Sequence, residues 1–136
     1  MKKKKIKISK LTNNKGLKLW KKSLGVIPGG NGLLSKRPER YSPDLWPTYY
    51  SSAKGIKITD IDGNTFLDME QNGIGTSILG YSNKEVNKAV FKAIKEGVNT
   101  TLNCEEEYIF AKQLLKNDKN FSSVKFARTG GEAMAI

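Results

Sequence analysis

All four prolines of this 136-residue chain fall between residues 28 and 47, and that clustering restricts the possible folds more than any other feature. Proline fixes φ, lacks an amide donor and clashes with the helical turn before it. Pro38, Pro43 and Pro47 therefore exclude a long helix between Leu33 and Tyr50. Tyr41, Trp46, Tyr49 and Tyr50 lie in the same stretch, which predicts an extended segment pinned onto a surface rather than a free linker. Just before it, Val26-Ile27-Pro28-Gly29-Gly30-Asn31-Gly32 is a turn-rich connector whose glycines permit positive φ. Earlier still, Leu17, Leu19, Trp20 and Leu24 have the spacing of a short amphipathic helix closed by Gly25.

Beyond the prolines the pattern changes to short strands and then helices. Gly55-Ile56-Lys57-Ile58-Thr59-Asp60 alternates apolar with polar residues and predicts a strand. Asp62-Gly63-Asn64 is a hairpin signal, with Thr65-Phe66-Leu67-Asp68-Met69 as the returning strand. Residues 72–80, which include Gly73, Gly75 and Gly80, predict a loop. Ser82 and Glu85 have capping-box spacing ahead of a helix whose apolar face is Val86, Ala89, Val90, Ala93 and Ile94, ending at Gly97. Asn103 and Glu106 repeat that spacing, with Tyr108, Ala111, Leu114 and Leu115 as the buried stripe of the next helix. The triplet Glu105–Glu107 suits a helix start. Successive carboxylates on a helix point in different directions, so no metal site is expected there.

The formal charge of +11 suggests a polyanionic partner until it is mapped along the chain. Residues 1–22 hold ten lysines and no acid, whereas the other 114 residues hold 14 basic and 13 acidic side chains. The basic character thus belongs to a tail, no arginine accompanies its lysines, and nucleic acid is not the expected partner. With 38% hydrophobic and 27% charged residues the body has an ordinary globular composition. No apolar run approaches the roughly 18 residues needed to span a bilayer, and no secretory signal is evident, so no membrane partner is expected. The single cysteine, Cys104, cannot form an internal disulfide and fits a reducing compartment, for which the cytoplasm is expected.

The chemistry lies near residue 129. Val124-Lys125-Phe126-Ala127 predicts a short strand, followed by Thr129-Gly130-Gly131 and a helix-forming stretch to Ile136. Strand, glycine turn, helix is an arrangement suited to a phosphate, because the first amides of a helix lack internal partners and its dipole favours negative charge. Glycine lets the backbone approach an anion without a Cβ in the way. Thr129 can add a hydroxyl. Taken alone, a Gly-Gly before a helix is a weak signal.

Several segments in fixed order strengthen it. Pro28-Gly29-Gly30, then residues 53–68 from Ala53-Lys54-Gly55 through Asp62-Gly63-Asn64 to Asp68, resemble the opening of class III aminotransferases. The similarity is greatest to their glutamate-1-semialdehyde 2,1-aminomutase branch. Leu79-Gly80-Tyr81-Ser82-Asn83 stands where that family usually has Leu-Gly-His-x-His-Pro. Val124-Lys125-Phe126-Ala127-Arg128-Thr129-Gly130-Gly131-Glu132-Ala133 looks like its Phe-x-x-Ser-Gly-Thr-Glu-Ala phosphate turn, with one hydroxyl fewer.

The resemblance implies an α/β chain with an incomplete type I fold of the enzymes that depend on pyridoxal 5'-phosphate: a small-domain β-hairpin plus the start of a large-domain, mostly parallel sheet. Residues 1–22 would be the basic tail and the start of the N-terminal helix. Residues 23–82 would belong to the small domain, and residues 83–136 would begin the cofactor-binding domain. Thr129, Gly130 and Gly131 would meet the cofactor phosphate. Arg37, one residue out of register with the aminomutase substrate arginine, would meet a carboxylate of a small amino- or oxo-substrate. The intact enzyme would be a homodimer. The Schiff-base lysine and the aspartate that pairs with the pyridine nitrogen lie downstream in the family, so no catalytic residue is expected in this chain, which alone should be inactive. It should also be poorly soluble or partly unfolded, because a parallel sheet begun without its other strands exposes an edge. Two alternatives compete with this expectation: a non-catalytic interaction fragment, and a small basic nucleic-acid-binding protein.

Overall fold

The computed structural model describes residues 14–71, 73 and 75–136, so most of the basic tail, including Lys2–Lys5, lies outside the described residues. The chain divides into two compact units, one running to Lys92 and the other covering Ala93–Ile136.

In the first unit, helix α1 spans Lys15–Leu24 and ends at Gly25, as the sequence predicts. Its beginning is fully capped. Asn14 is the N-cap and its Oδ1 accepts from the Leu17 amide at 2.7 Å. Asp62, far along the chain, takes the two preceding donors: Lys15 N at 2.9 Å and Gly16 N at 3.1 Å. A carboxylate here satisfies orphan amides and also meets the positive end of the helix dipole. The buried face of α1 is Gly16, Trp20 and Ser23, with Leu19 and Leu24 exposed, which corrects the leucine stripe expected from spacing.

Trp20 is 3% exposed and forms the centre of a small core with the fully buried Pro38. Its indole Nε1 donates to Glu39 Oε1 at 2.7 Å, and Ser23 Oγ lies 2.7 Å from Tyr49 Oη. The proline-rich stretch contains only short 3-10 turns, Leu34–Lys36 and Pro38–Arg40. Its aromatics are pinned: the Tyr41 ring stacks on Trp46 with centroids 4.1 Å apart, and Tyr41 Oη donates to Ser35 O at 2.8 Å.

Strands β1 (Tyr50–Lys54), β2 (Lys57–Asp60) and β3 (Thr65–Leu67) form an antiparallel sheet in that order. The hairpin β2–β3 is the one predicted, although its return strand stops at Leu67 rather than Met69. Sequence alone did not show β1, which begins at Tyr50, the last residue of the stretch described as extended. Its ladder contains a bulge between Tyr50 and Ser52, where Ser51 Oγ reaches Asp60 O at 2.9 Å. Ala53, Ile58 and Phe66 are cross-strand partners and make a half-buried row on one face. In the hairpin turn the Asp60 carboxylate, on a residue 6% exposed, accepts from Asp62 N, Asn64 N and Asn64 Nδ2 at 2.7–3.0 Å. Those three donors offset the cost of removing the charge from water.

Helices α2 (Lys84–Glu96) and α3 (Glu105–Asn117) fall where expected, and Gly97 at φ 100° closes α2. Their caps differ from the sequence expectation. Asn83, not Ser82, caps α2, its Oδ1 accepting from Glu85 N and Val86 N at 3.0 and 3.1 Å. Ser82 instead has φ 52° and donates its hydroxyl to Ala53 O. Cys104 precedes α3 and makes no side-chain cap. Tyr108 and Leu114 of the predicted stripe are exposed, and among the described residues no side chain of α2 or α3 is buried. Residues 124–127 form no strand, because no neighbouring strand is present to accept their backbone.

Asp62→Ala should destabilise the first unit by about 2 kcal/mol, since two amides at a helix start lose a charged acceptor; urea unfolding followed by tryptophan fluorescence measures this. Amide hydrogen exchange should be slow for β2 and for the capped start of α1 and fast in α3, whose side chains are at most half-buried.

Candidate phosphate turn and substrate-facing arginine

Helix α4, Gly130–Ala135, follows residues 124–127, which have no regular secondary structure. Thr129 is its N-cap, with extended backbone at φ −138° and ψ 157°, and its Oγ1 accepts from Glu132 N at 3.2 Å. Glu132 in turn reaches back, Oε2 accepting from Arg128 N at 2.8 Å. This resembles a capping box shifted by one residue at the glutamate end. The accompanying Arg128–Glu132 ion pair, at 3.3 Å with the arginine side chain 91% exposed, adds little. Upstream, Phe126 stacks on Phe110 at 5.5 Å, holding the approach to the turn against α3.

The cap accounts for the amides of Arg128 and Glu132, while Ala133 N donates to Thr129 O at 3.0 Å. Those of Gly130 and Gly131 have no protein acceptor among the described residues. Neither glycine has a positive φ, and a Cβ at Gly130 would meet nothing within 4 Å. At Gly131 the nearest atom would be Thr129 Oγ1, at 3.9 Å. Glycine in a helix costs roughly 0.5–1 kcal/mol relative to alanine, and nothing within the chain offsets that cost. The result is two unpartnered donors under open space, a donor set that fits the oxygens of a phosphate.

Arg37 belongs to the first unit, between the two 3-10 turns, and is half-buried. Its guanidinium packs on the turn Pro28-Gly29-Gly30, where Gly29 and Gly30 have φ of 71° and 77°. A Cβ on Gly29 would overlap the Arg37 guanidinium, and one on Gly30 would overlap the Trp20 ring. The Arg37 Nε is buried without a hydrogen-bond partner. Thr129, Gly130 and Gly131 thus sit together at one helix start, whereas Arg37 stands in a separate unit. Among the described residues no group of three or more potential ligands could hold a metal ion, and no helix is long and apolar enough to cross a membrane.

Sequence reasoning missed one polar anchor. Tyr81 exchanges backbone hydrogen bonds with Gly55, both at 2.8 Å, and its Oη donates to Asp68 Oδ2 at 2.6 Å. Gly80, at φ 84°, allows this approach, since a Cβ there would stand 3.1–3.3 Å from the Gly55 backbone. The loop preceding Tyr81 is thereby fastened to the sheet. The signal was the tyrosine in a position where the family has histidine, but its partner Asp68 could not be read from spacing.

A short antiparallel sheet and several helices make this an α/β chain, and the glycine turn at a helix start is its candidate phosphate site. The comparisons narrow that class. The family model for aminotransferase class-III matches residues 40–136, and the chain belongs to this family. It is 34% identical over 116 residues to a glutamate-1-semialdehyde 2,1-aminomutase of Methylacidiphilum infernorum, covering 85% of this chain and 26% of that protein. A 3-aminobutyryl-CoA aminotransferase of Cloacimonas acidaminovorans is 27% identical, covering 93% of this chain and 30% of that one. Among solved structures, a transaminase with PLP bound superposes with a TM-score of 0.78 at 29% identity, covering 90% of this chain and 27% of that chain. The chain therefore spans between a quarter and a third of the length of these relatives. Neither alternative raised by the sequence, an interaction fragment or a nucleic-acid binder, is supported by these matches.

Burial, and then the Asp68 carboxylate through its hydrogen bond and its charge, push the Tyr81 phenol up to about 12 from its ordinary value of 10.0. A raised value means that the folded state holds this proton more tightly. Its stabilising contribution is full below pH 10 and is lost as the pH rises towards 12. In a 295 nm absorbance titration Tyr81 should ionise late, and Tyr81→Phe should remove that step.

Proposed function

We propose that this chain supplies the phosphate turn and a substrate-facing segment of a pyridoxal-phosphate-dependent aminotransferase or aminomutase acting on a small amino- or oxo-substrate. The observation that carries this is the pair of unpartnered amides at Gly130 and Gly131, beneath space that no side chain fills. Family membership and the PLP-bound neighbour support the identity of the group they would hold. When bound, pyridoxal phosphate withdraws electrons from the carbon bearing the amino group. This chain's own part is to bind and orient. The Gly130 and Gly131 amides donate to the phosphate, and Thr129 Oγ1, already accepting from Glu132 N, still has a proton to donate. Arg37 receives a substrate carboxylate through the planar fork of its guanidinium. No lysine of this chain is assigned the role of carrying the cofactor.

In the same proposal residues 23–82 contribute to the small domain, residues 83–136 open the cofactor-binding domain, and the enzyme works as a cytoplasmic homodimer. Support for the two-domain assignment comes from the resemblance. The compact units of the structure divide within α2, between Lys92 and Ala93.

Gly130→Pro separates the donor from the helix. Proline is tolerated at a first helical position, and Thr129 already has the extended backbone that precedes one. In the 136-residue chain, pyridoxal phosphate should shift the Gly130 and Gly131 amide resonances, whereas pyridoxal without its phosphate should not. The proline variant should weaken the remaining response at Gly131 severalfold while α4 persists. Equal responses to both compounds would remove phosphate recognition from this turn.

A further inference from the structure

We propose that Gly29 is a positioning residue: its missing Cβ gives the Arg37 guanidinium a seat in which it stays without an internal counter-ion, open to a substrate carboxylate. This rests on the assignment of Arg37 to the substrate made under Proposed function.

Three observations converge on it. First, the guanidinium occupies the space of the side chain that Gly29 lacks. A Cβ there would overlap Nη2 and stand 2.6 Å from Cζ and 3.1 Å from Nη1. The neighbouring glycine cannot substitute, because its own missing Cβ makes room for the Trp20 ring. Second, the guanidinium is unpaired. Its Nε is buried with no acceptor, and among the described residues the head group makes neither a hydrogen bond nor an ion pair. Third, the acid closest to it in sequence is turned towards another partner and makes no ion pair with it. Glu39 is the one carboxylate between Leu34 and Tyr41, and its Oε1 accepts from the Trp20 indole at 2.7 Å.

A cation partly withdrawn from water and left unpaired favours any anion that can reach it. The planar, weakly hydrated fork of arginine suits a carboxylate, which it can bind through two parallel hydrogen bonds. Lys36 and Arg40, in the same pair of turns, add positive potential around the site. The packing against Gly29 holds the head group in place before a ligand arrives, so little rotamer freedom is left to lose on binding. Gly29 acts through Arg37 and needs no contact with the substrate.

The test uses the 136-residue chain, 15N-labelled, with succinate as the carboxylate probe and inorganic phosphate at matched ionic strength as the comparison. The Arg37 Nε–Hε resonance, identified by its loss in Arg37→Lys, should shift saturably with succinate and more weakly with phosphate. In Gly29→Ala the succinate midpoint should rise at least tenfold. Gly97→Ala is the control for backbone strain: φ there is 100°, but an added Cβ would meet nothing within 4 Å and the residue lies outside the first unit, so the midpoint should not change. The Trp20 indole resonance reports whether each variant is folded.

If the unmodified chain gives no saturable shift, the assignment of Arg37 itself fails. If it responds and Gly29→Ala stays within twofold with the indole signal intact, Arg37 stands and the role of Gly29 is refuted. An equal response to phosphate overturns the carboxylate assignment. Should Gly29→Ala unfold, the decision passes to the unmodified chain, which must show a nuclear Overhauser contact between Gly29 Hα and Arg37 Hδ. It must also show a succinate-dependent shift of the Gly29 amide, and absence of either refutes the proposal.

Discussion

The first unit depends on one carboxylate bridging two elements remote in sequence. Asp62 lies in the turn of the β2–β3 hairpin, yet its oxygens accept from Lys15 N and Gly16 N at the start of α1. A ten-residue helix is too short to be stable alone, so α1 forms only where its first amides and its Trp20 face both find partners. Asp60 fixes the turn by accepting from residues 62 and 64, and the turn then presents Asp62 to the helix. Placing α1 in this way places Trp20 against Gly30, and the Pro28-Gly29-Gly30 turn in turn seats Arg37. The geometry around the arginine follows from that sequence of contacts, with little large apolar burial.

Glycine has two different meanings in this chain, and backbone angle separates them. Gly29, Gly30, Gly63, Gly80 and Gly97 have positive φ, and glycine is the residue that adopts it without strain. For Gly29, Gly30 and Gly80 crowding is an additional reason, because an added Cβ would overlap a side chain or press on backbone. Gly130 and Gly131 have neither reason, being helical and uncrowded. Gly32 also lacks a positive φ and crowding, so what sets Gly130 and Gly131 apart is their place at a helix start with amides that have no acceptor among the described residues. Those amides, rather than the glycines alone, are what the candidate phosphate turn rests on.

Much of this was legible in the sequence, for identifiable reasons. Hairpin chemistry at Asp62-Gly63-Asn64 and the proline run are local rules, and the structure follows both. The helices α2 and α3 were equally visible from periodicity, yet their caps were not. Ser82 was drawn away from α2 by a hydrogen bond to Ala53 O, and Asn83 took its place. Strand β1 was hidden because its Tyr50-Ser51-Ser52-Ala53-Lys54 sequence is weakly apolar and is held by a bulge and serine hydroxyl contacts instead of alternation. The links from Asp62 to α1 and from Tyr81 to Asp68 depend on three-dimensional proximity, and no spacing rule encodes them. In the candidate site, the turn at Thr129 was readable as a motif. The seating of Arg37 on Gly29 was not, since a guanidinium against a missing Cβ leaves no pattern in the sequence.

Residues 124–127 show what local sequence can and cannot determine. Val124-Lys125-Phe126-Ala127 has a composition compatible with a strand, yet it has no regular secondary structure, and the extended backbone shown is that of the Thr129 cap. A strand also needs a neighbour to accept its amides, and parallel neighbours come from distant parts of a chain. The turn at Gly130 forms even without that neighbour, because its cap is built from Thr129, Arg128 and Glu132 alone. Local capping therefore leaves the two amides free before any sheet is assembled around them. A turn capped by adjacent residues can form in a segment spanning about a quarter of its relatives' length, whereas a constellation gathered from several strands cannot.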